Sequence, residues 1–140
     1  MSLVLLAGWF ILGGLHTVAH AADEPGTAAR ILGYWQRGEG EAIIEVTRHS
    51  AGYHGVIVSS ERRPETLGIV VFRELEYDEE AGAWHGRAYS IKRKREVPID
   101  IEVPHANQLE LTAHILVFKK RVQFKRIPDA QVVGLEVAER

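Results

Sequence analysis

The sequence predicts an all-β fold, namely a single antiparallel up-and-down barrel of about eight strands. Apolar and polar residues alternate with a period of two through most of the chain after residue 21, and turn-forming residues recur about every 8 to 12 positions. Helical spacing of apolar residues is scarce in the same region. An even number of strands also lets the first strand pair antiparallel with the last, so that the sheet closes without exposed edges.

An export leader is predicted at the start of the chain. The apolar run Leu3–Leu15 contains no charged side chain, and Ala19-His20-Ala21 has the small-x-small pattern of a signal-peptidase site. A membrane anchor is the alternative interpretation, but an anchor needs about 18 or more apolar residues, and polar residues interrupt the run from His16 onward. We therefore expect a cleavable signal peptide, residues 1–21, followed by a single β-barrel domain, residues 22–140.

Cysteine usage narrows the type of export. The sequence contains no cysteine, so it offers neither a lipoprotein anchor nor a disulfide bond. Together with the predicted signal peptide, this indicates a periplasmic or secreted protein that is not a lipoprotein.

Turn residues divide the remainder of the chain into about eight predicted strands. Alternation is clearest in Glu96–Val103, where the odd-numbered residues are apolar, and Gln108–Ile115 repeats the pattern. The apolar positions become even-numbered at Val122, so a turn is expected near Lys119-Lys120. The tail after Pro128 is expected to be irregular or to form a short helix. The strands are predicted at residues 31–37, 41–48, 53–59, 67–77, 83–90, 96–103, 109–117 and 121–127.

Several segments resemble known barrels. Gly33-Tyr34-Trp35 resembles the Gly-x-Trp on the first strand of lipocalin-like (calycin) barrels, and "VQFKR" resembles their closing strand, which ends in an arginine. The segments "AGYHGVIV", "LGIVVFRELEYD", "WHGRAY" and "VQFKRI" also resemble a bacterial family of small exported proteins, domain-of-unknown-function family 2147. The loop "SSERRPET" and Phe124 depart from that family's pattern. The resemblance implies a lipocalin-like fold and no established activity.

Gly33, Trp35 and Arg126 are predicted to close one end of the barrel. A tryptophan on the first strand is large enough to cap the core, and its indole N–H needs an acceptor. Arg126 ends the last strand, which is the antiparallel neighbour of the first. We therefore expect its guanidinium to stack near Trp35 in a cation-π contact worth about 0.5 to 2 kcal/mol. The alternative is an ordinary core tryptophan with a solvated arginine.

Charge separates between the two ends of the predicted barrel, because a meander places alternate turns at the same end. The end with Trp35 and Arg126, hereafter the closed end, also receives Asp78, Glu79, Glu80, His49 and His105. The opposite end, hereafter the basic end, is expected to stay open. It receives the candidate ligand-binding residues Arg37, Arg62, Arg63, Lys92, Arg93, Lys94, Arg95, Lys119 and Lys120.

Two functions fit a basic end, and the sequence leaves both open. In the first, a small anionic or amphiphilic, lipid-like ligand enters through a basic mouth, and an apolar lumen buries its chain with about 0.8 kcal/mol per methylene. In the second, the barrel is filled by its own side chains and acts as a non-catalytic module that contacts an envelope protein or a membrane surface. Lys92–Arg95 is then a solvated loop or docks to anionic lipid heads.

Other function classes lack the residues that they need. The formal net charge of −2 argues against nucleic acid as a partner. The sequence has no Gly-x-Ser-x-Gly, no glycine-rich phosphate loop and no His-Glu-x-x-His, so we expect neither an enzyme nor a bound cofactor. A lumen-facing Glu45 with His54 or Tyr89 comes nearest to an acid–base pair.

A metal site is not expected either. No two histidines have ligand-like spacing, although His49 and His105 could meet at the closed end beside carboxylates. The sequence carries no pattern that specifies an oligomeric state.

Overall fold

The alternating sequence folds into eight antiparallel strands that close into one barrel. The computed structural model describes residues 27–129, 131 and 132. Each strand pairs with its neighbours in sequence, and β1 pairs with β8. The predicted all-β, up-and-down fold class is confirmed. The strands are β1 Gly33–Gln36, β2 Ile43–His49, β3 Gly52–Ser59, β4 Val70–Asp78, β5 Ala83–Ser90, β6 Arg95–His105, β7 Gln108–Ile115 and β8 Phe118–Ile127.

Short helical turns accompany the strands. A 3₁₀ turn, Thr27–Ile31, precedes β1 at the closed end, and another, Pro64–Thr66, lies between β3 and β4 at the basic end. The predicted signal peptide lies outside the described residues. So does most of the predicted C-terminal helix, of which the turn that starts at Pro128 is described as far as Val132. Within the described part of the chain, no helix is both long and apolar enough to cross a membrane.

One predicted turn is displaced. The chain reverses at Leu116-Val117, not at Lys119-Lys120, and Ile115 pairs with Phe118 across the turn. The expectation was wrong because the reversal uses two apolar residues, which carry no turn-forming pattern, with Leu116 at a φ of +49°. Lys119 and Lys120 therefore lie on β8, opposite His114 and Ala113 of β7.

Inward-facing side chains fill the barrel. Along β6, Ile99, Ile101 and Val103 are buried and alternate with more exposed residues, as the sequence pattern requires. Trp35 and Trp84 are the largest fully buried side chains. The lumen is thus occupied by the chain's own residues. The core consists of Ile31, Trp35, Ile44, Val46, Tyr53, Ile57, Val71, Phe72, Leu75, Trp84, Ile99, Ile101, Val103, Leu109, Leu111, Ala113 and Phe124.

Strand β4 bulges against β5. Between the pairs Arg73↔Arg87 and Glu76↔His85, two residues of β4 face one residue of β5, Gly86. A Cβ at that glycine would lie 2.7 Å from the carbonyl oxygen of Arg73, so only glycine allows this approach. The bulge adjoins an outer-face cleft of about 610 Å³ between β3 and β4.

The guanidinium of Arg126 ties the closed end together. Its Nε donates to the carbonyl oxygen of Ala106 (2.6 Å), Nη1 to that of Leu32 (2.6 Å) and Nη2 to that of Arg30 (2.8 Å). Its Cζ lies 4.2 Å from the ring centroid of Trp35, within the expected range of about 6 Å for a cation-π contact. One side chain thereby joins the N-terminal turn, the β6–β7 turn and β8.

The indoles and Gly33 complete this arrangement. Trp35 Nε1 donates to the carbonyl oxygen of Ile31 (2.9 Å), and Trp84 Nε1 to that of Ala28 (3.1 Å), so both tryptophans hold the N-terminal turn over the core. Gly33 has a φ of +120°, and a Cβ there would lie 2.6 Å from Arg126 Nη1. The glycine therefore makes room for the guanidinium.

Replacing Arg126 with methionine is expected to lower the free energy of unfolding by about 2 to 4 kcal/mol, because several carbonyl oxygens lose a charged donor. Urea denaturation followed by tryptophan fluorescence measures this loss. Arg121→Met is the matched control on the same strand, since Arg121 is exposed and, among the described residues, forms an ion pair with Glu110 alone, at 3.8 Å. Equal losses in the two variants would contradict the role given to Arg126.

Candidate functional site

The basic end is formed by the turns that follow β1, β3, β5 and β7. The structure divides its predicted basic residues into three groups with different surroundings. Arg62 and Arg63 have acidic partners, Arg37 lies apart, and the residues near the β5–β6 and β7–β8 turns form a separate patch.

Arg62 and Arg63 belong to a charge-balanced half of the basic end. Arg62 Nη1 lies 3.6 Å from Glu41 Oε1, and Arg63 Nε lies 3.3 Å from Glu65 Oε1. Arg62 also lines a cleft of about 550 Å³ together with Glu39, Glu41 and Glu61. Exposed pairs of this kind stabilise little, but the carboxylates neutralise the local positive potential. The part of the basic end that contains Arg62 and Arg63 therefore attracts an anion only weakly.

Arg37 is not brought to the other basic turns. It follows β1, which ends at Gln36, and it lines a cleft of about 570 Å³ with Gln108, Gln123 and Lys125. None of the residues of that cleft belongs to the Lys92–Arg95 turn. Gln36, the residue before Arg37, pairs with Lys125, which also pairs with Gln108 at the start of β7. Arg37 therefore lies toward the β6–β7 turn, and its part in a basic mouth stays a prediction.

The cationic patch consists of Lys92, Arg93, Lys94, Arg95, Lys119 and Lys120. All are exposed, and none of the described residues supplies a carboxylate within 4.0 Å of their charged groups. The backbone N–H of Arg93 donates to Ser90 Oγ (3.3 Å), which helps to fix the turn. Arg95 is the first residue of β6 and pairs with Ser90. The patch thus carries uncompensated positive charge.

Glu96 is the acid nearest in sequence, yet it is already engaged elsewhere. Its carboxylate lies 2.8 Å from Arg73 Nη1 and 3.3 Å from Arg87 Nη1. Hydrogen bonds from Arg73 and then Arg87 lower the pKa of Glu96. Glu96 therefore serves the outer face of β4, β5 and β6 and leaves the cationic patch unneutralised.

An apolar tip, Leu116-Val117-Phe118, stands beside this patch. The exposed fractions of the three side chains are 93%, 99% and 53%, and Leu67 on the same end is 48% exposed. A cleft of about 310 Å³ lined by Arg95, Val97 and Leu116, among others, joins the two hairpins. Sequence reasoning missed the tip, although the change of parity between Ile115 and Val122 located the reversal to within a few residues.

The mouth of the barrel is occupied. Ala42, Ile69, Ile91 and Ile115, close to the turns of the basic end, are partly buried against the core. A ligand at this end must therefore contact the rim and the turns, because the interior behind them is packed with side chains.

His49 and His105, which the sequence allows to meet at the closed end, have different neighbours. His49 stacks on His54, with ring centroids 3.8 Å apart, whereas His105 lines the cleft that contains Arg37. Burial and then the neighbouring His49 lower the pKa of His54. Among residues 27–129, 131 and 132, no group of three or more histidine, aspartate or glutamate side chains is arranged to hold a metal ion.

A second histidine cluster, which the sequence did not predict, lies on the outer face. Asp100 of β6 accepts from His85 Nδ1 of β5 and His114 Nε2 of β7, each at 2.5 Å, and His85 Nε2 lies 3.4 Å from Asp78. Burial raises the pKa of Asp100, but the bonds from His85 and His114 outweigh it and lower that pKa overall. The bond to Asp100 raises the pKa of His85. The cluster links three strands.

Comparison with known proteins supports the fold. No protein-family model matches the chain, and no curated protein matches it. The structure is similar to one described as "Protein HP1028 from the human pathogen Helicobacter pylori belongs to the lipocalin family". The identity is 15%, the TM-score is 0.53, and the match covers 74% of this chain and 85% of that chain. The predicted lipocalin-like fold is confirmed, and membership of family 2147 stays a prediction.

The His85–Asp100 bond is expected to make stability depend on pH. Because the folded-state pKa of His85 is raised above 6.5, its contribution is present below that pH and is lost as pH rises through the raised pKa. The free energy of unfolding should fall by about 0.2 to 1 kcal/mol over this range, since the pair is half exposed and screened. Urea denaturation at about pH 5.5 to 8.5 measures it. Asp100→Asn should remove most of this contribution, because only Asp78 then still faces His85, and Asp78→Asn should reduce it by less. Parallel pH profiles in wild type and D100N would contradict this.

Proposed function

We propose that the chain is an exported, non-catalytic lipocalin-like protein that binds an anionic, lipid-like amphiphile at its basic end. The observation that carries the proposal is the cationic patch, whose side chains are exposed and have no acidic partner among the described residues. Clustered lysines and arginines attract carboxylate and phosphate groups even when they are exposed, and salt screens this attraction. The apolar tip beside the patch suits the hydrophobic part of the same molecule.

The packed interior supports binding at the rim. Trp35, Trp84 and the other core side chains occupy the space in which a hollow barrel would bury an acyl chain. The cleft of about 310 Å³ between the β5–β6 and β7–β8 hairpins instead combines Arg95 with apolar Val97, Ile115 and Leu116. Glu96 also lines it, but its carboxylate is already paired with Arg73 and Arg87. We therefore place the anionic amphiphile that the sequence predicts on the outside of the mouth, and not in the lumen.

A non-catalytic role fits the placement of the candidate acid–base residues. Glu45, His54 and Tyr89 occupy outward-facing positions on three different strands, β2, β3 and β5. No hydrogen bond or ion pair among the described residues joins any two of them. Export to the periplasm or beyond, and kinship with the bacterial family 2147, belong to the same proposal and rest on the sequence patterns alone.

Short-chain phosphatidylglycerol, kept monomeric, is expected to bind more tightly than phosphatidylcholine of the same chain length. The Lys92→Gln/Arg93→Gln variant should weaken this binding about tenfold, since each exposed charge contributes up to about 1 kcal/mol. Isothermal titration calorimetry at low and high ionic strength measures the affinity and its screening.

The matched control is Arg30→Gln/Lys125→Gln, which removes two exposed charges outside the cationic patch and should leave the affinity unchanged. All variants are made from the full chain and checked by mass spectrometry for the same N terminus, so that Leu3–Leu15 contributes equally. Equal binding of the two lipids, or equal losses in the two variants, would sink the proposal.

A further inference from the structure

The exposed apolar side chains of this protein are concentrated at one end of the barrel. Within the described residues, the exposed large hydrophobic side chains are Leu67, Leu116, Val117 and Phe118, and all lie at the basic end. Single exposed apolar residues are normal on protein surfaces, but here three consecutive ones form the tip of a hairpin. Folding buries almost nothing of Leu116 and Val117 and about half of Phe118. Packing within the described residues therefore does not explain the apolar character of Leu116 and Val117.

The turn itself does not favour these residues. Leu116 adopts a φ of +49°, a conformation that suits glycine, asparagine or aspartate far better than a branched apolar residue. A polar residue at this position would make the same two-residue reversal with less strain. The apolar residue at position 116 is therefore unfavourable for the turn itself. This strain points to a role for the apolar tip in binding.

Positively charged residues lie beside the apolar tip, on its own hairpin and on the neighbouring one. Lys119 and Lys120 follow it directly on β8, and Lys92–Arg95 form the neighbouring β5–β6 turn. The cleft lined by both Arg95 and Leu116 shows that the two hairpins are adjacent. An apolar tip beside a cationic patch matches the layers of an anionic bilayer, where negative head groups lie above the acyl region.

We infer that this end of the barrel docks on an anionic lipid bilayer, with Leu116, Val117 and Phe118 inserted below the head groups and the cationic patch on the phosphates. The inference deepens the proposed function by naming the assembled membrane, rather than a dissolved lipid, as the partner. The tip is a convex point of three side chains, too small for a standard protein interface. A second copy of the chain would bring a like-charged patch against this one and is repelled.

The test is partition of the protein onto phosphatidylcholine vesicles with and without phosphatidylglycerol, measured by flotation. Wild type binds the anionic vesicles in a salt-sensitive manner. The Leu116→Asn/Val117→Ser variant keeps every positive charge and loses at least about tenfold in partition. Its unfolding midpoint stays at or above that of wild type, because both replaced side chains are almost fully exposed and asparagine suits the positive φ.

A matched control places the same apolar residues on a turn at the closed end. The β2–β3 turn there also has two exposed residues, Ser50 and Ala51, with Ser50 at a φ of +50°, and the cleft beside it is lined by Glu74 and Glu76, among others. Ser50→Leu/Ala51→Val is expected to leave partition onto anionic vesicles at the wild-type level. If L116N/V117S binds these vesicles as wild type does, or if S50L/A51V gains as much as the native tip supplies, the inference is overturned.

A depth measurement gives an independent result. Val117→Trp, mixed with anionic vesicles whose acyl chains carry bromine, should lose fluorescence relative to vesicles without bromine, and an unquenched Trp at this position overturns the insertion.

Failure of the inference differs from failure of the proposed function. If the inference alone fails, L116N/V117S and wild type bind vesicles alike while wild type still binds monomeric phosphatidylglycerol. If the proposed function fails, monomeric phosphatidylglycerol binds neither wild type nor L116N/V117S. A change in elution volume of L116N/V117S without a change in partition would assign the tip to contact between copies and would also overturn the inference.

Discussion

The structure depends on the closure that Arg126 makes at one end of the barrel. Strand β1 has only four residues, so the seam between β1 and β8 contains few backbone pairs. The guanidinium compensates by bonding main-chain carbonyls on both sides of that seam while it lies over the Trp35 ring. Partial burial lowers the pKa of Arg126, and the surrounding carbonyls supply the acceptors that a partly buried cation needs.

Closure and filling together decide where binding can occur. The N-terminal turn is held over one end, and large aromatic side chains of the described residues occupy the middle of the interior. Chemistry is therefore confined to the outer faces and the turns. The same meander that closes the barrel also sends the lysine-rich turns to the end away from Arg126, so that a nearly neutral protein acquires a strongly positive edge.

Much of this fold could be predicted from the sequence, because period-two alternation fixes the strand faces and strand order fixes which turns share an end. Three features could not be predicted in this way. The apolar reversal at Leu116-Val117 lacks turn-forming residues, and the contact of His85 and His114 with Asp100 depends on strand register, which no local pattern encodes. Whether the lumen is filled depends on the summed volumes of side chains from every strand, which alternation alone does not specify.

The Asp100 cluster has a mechanical consequence for the basic end. By accepting from β5 and β7 at once, Asp100 fastens the hairpin that carries Lys92–Arg95 to the hairpin that carries Leu116. The distance between the cationic patch and the apolar tip is thus fixed by the fold itself. A rigid, preformed contact surface loses little conformational entropy when it binds, so a small number of side chains is enough to give useful affinity.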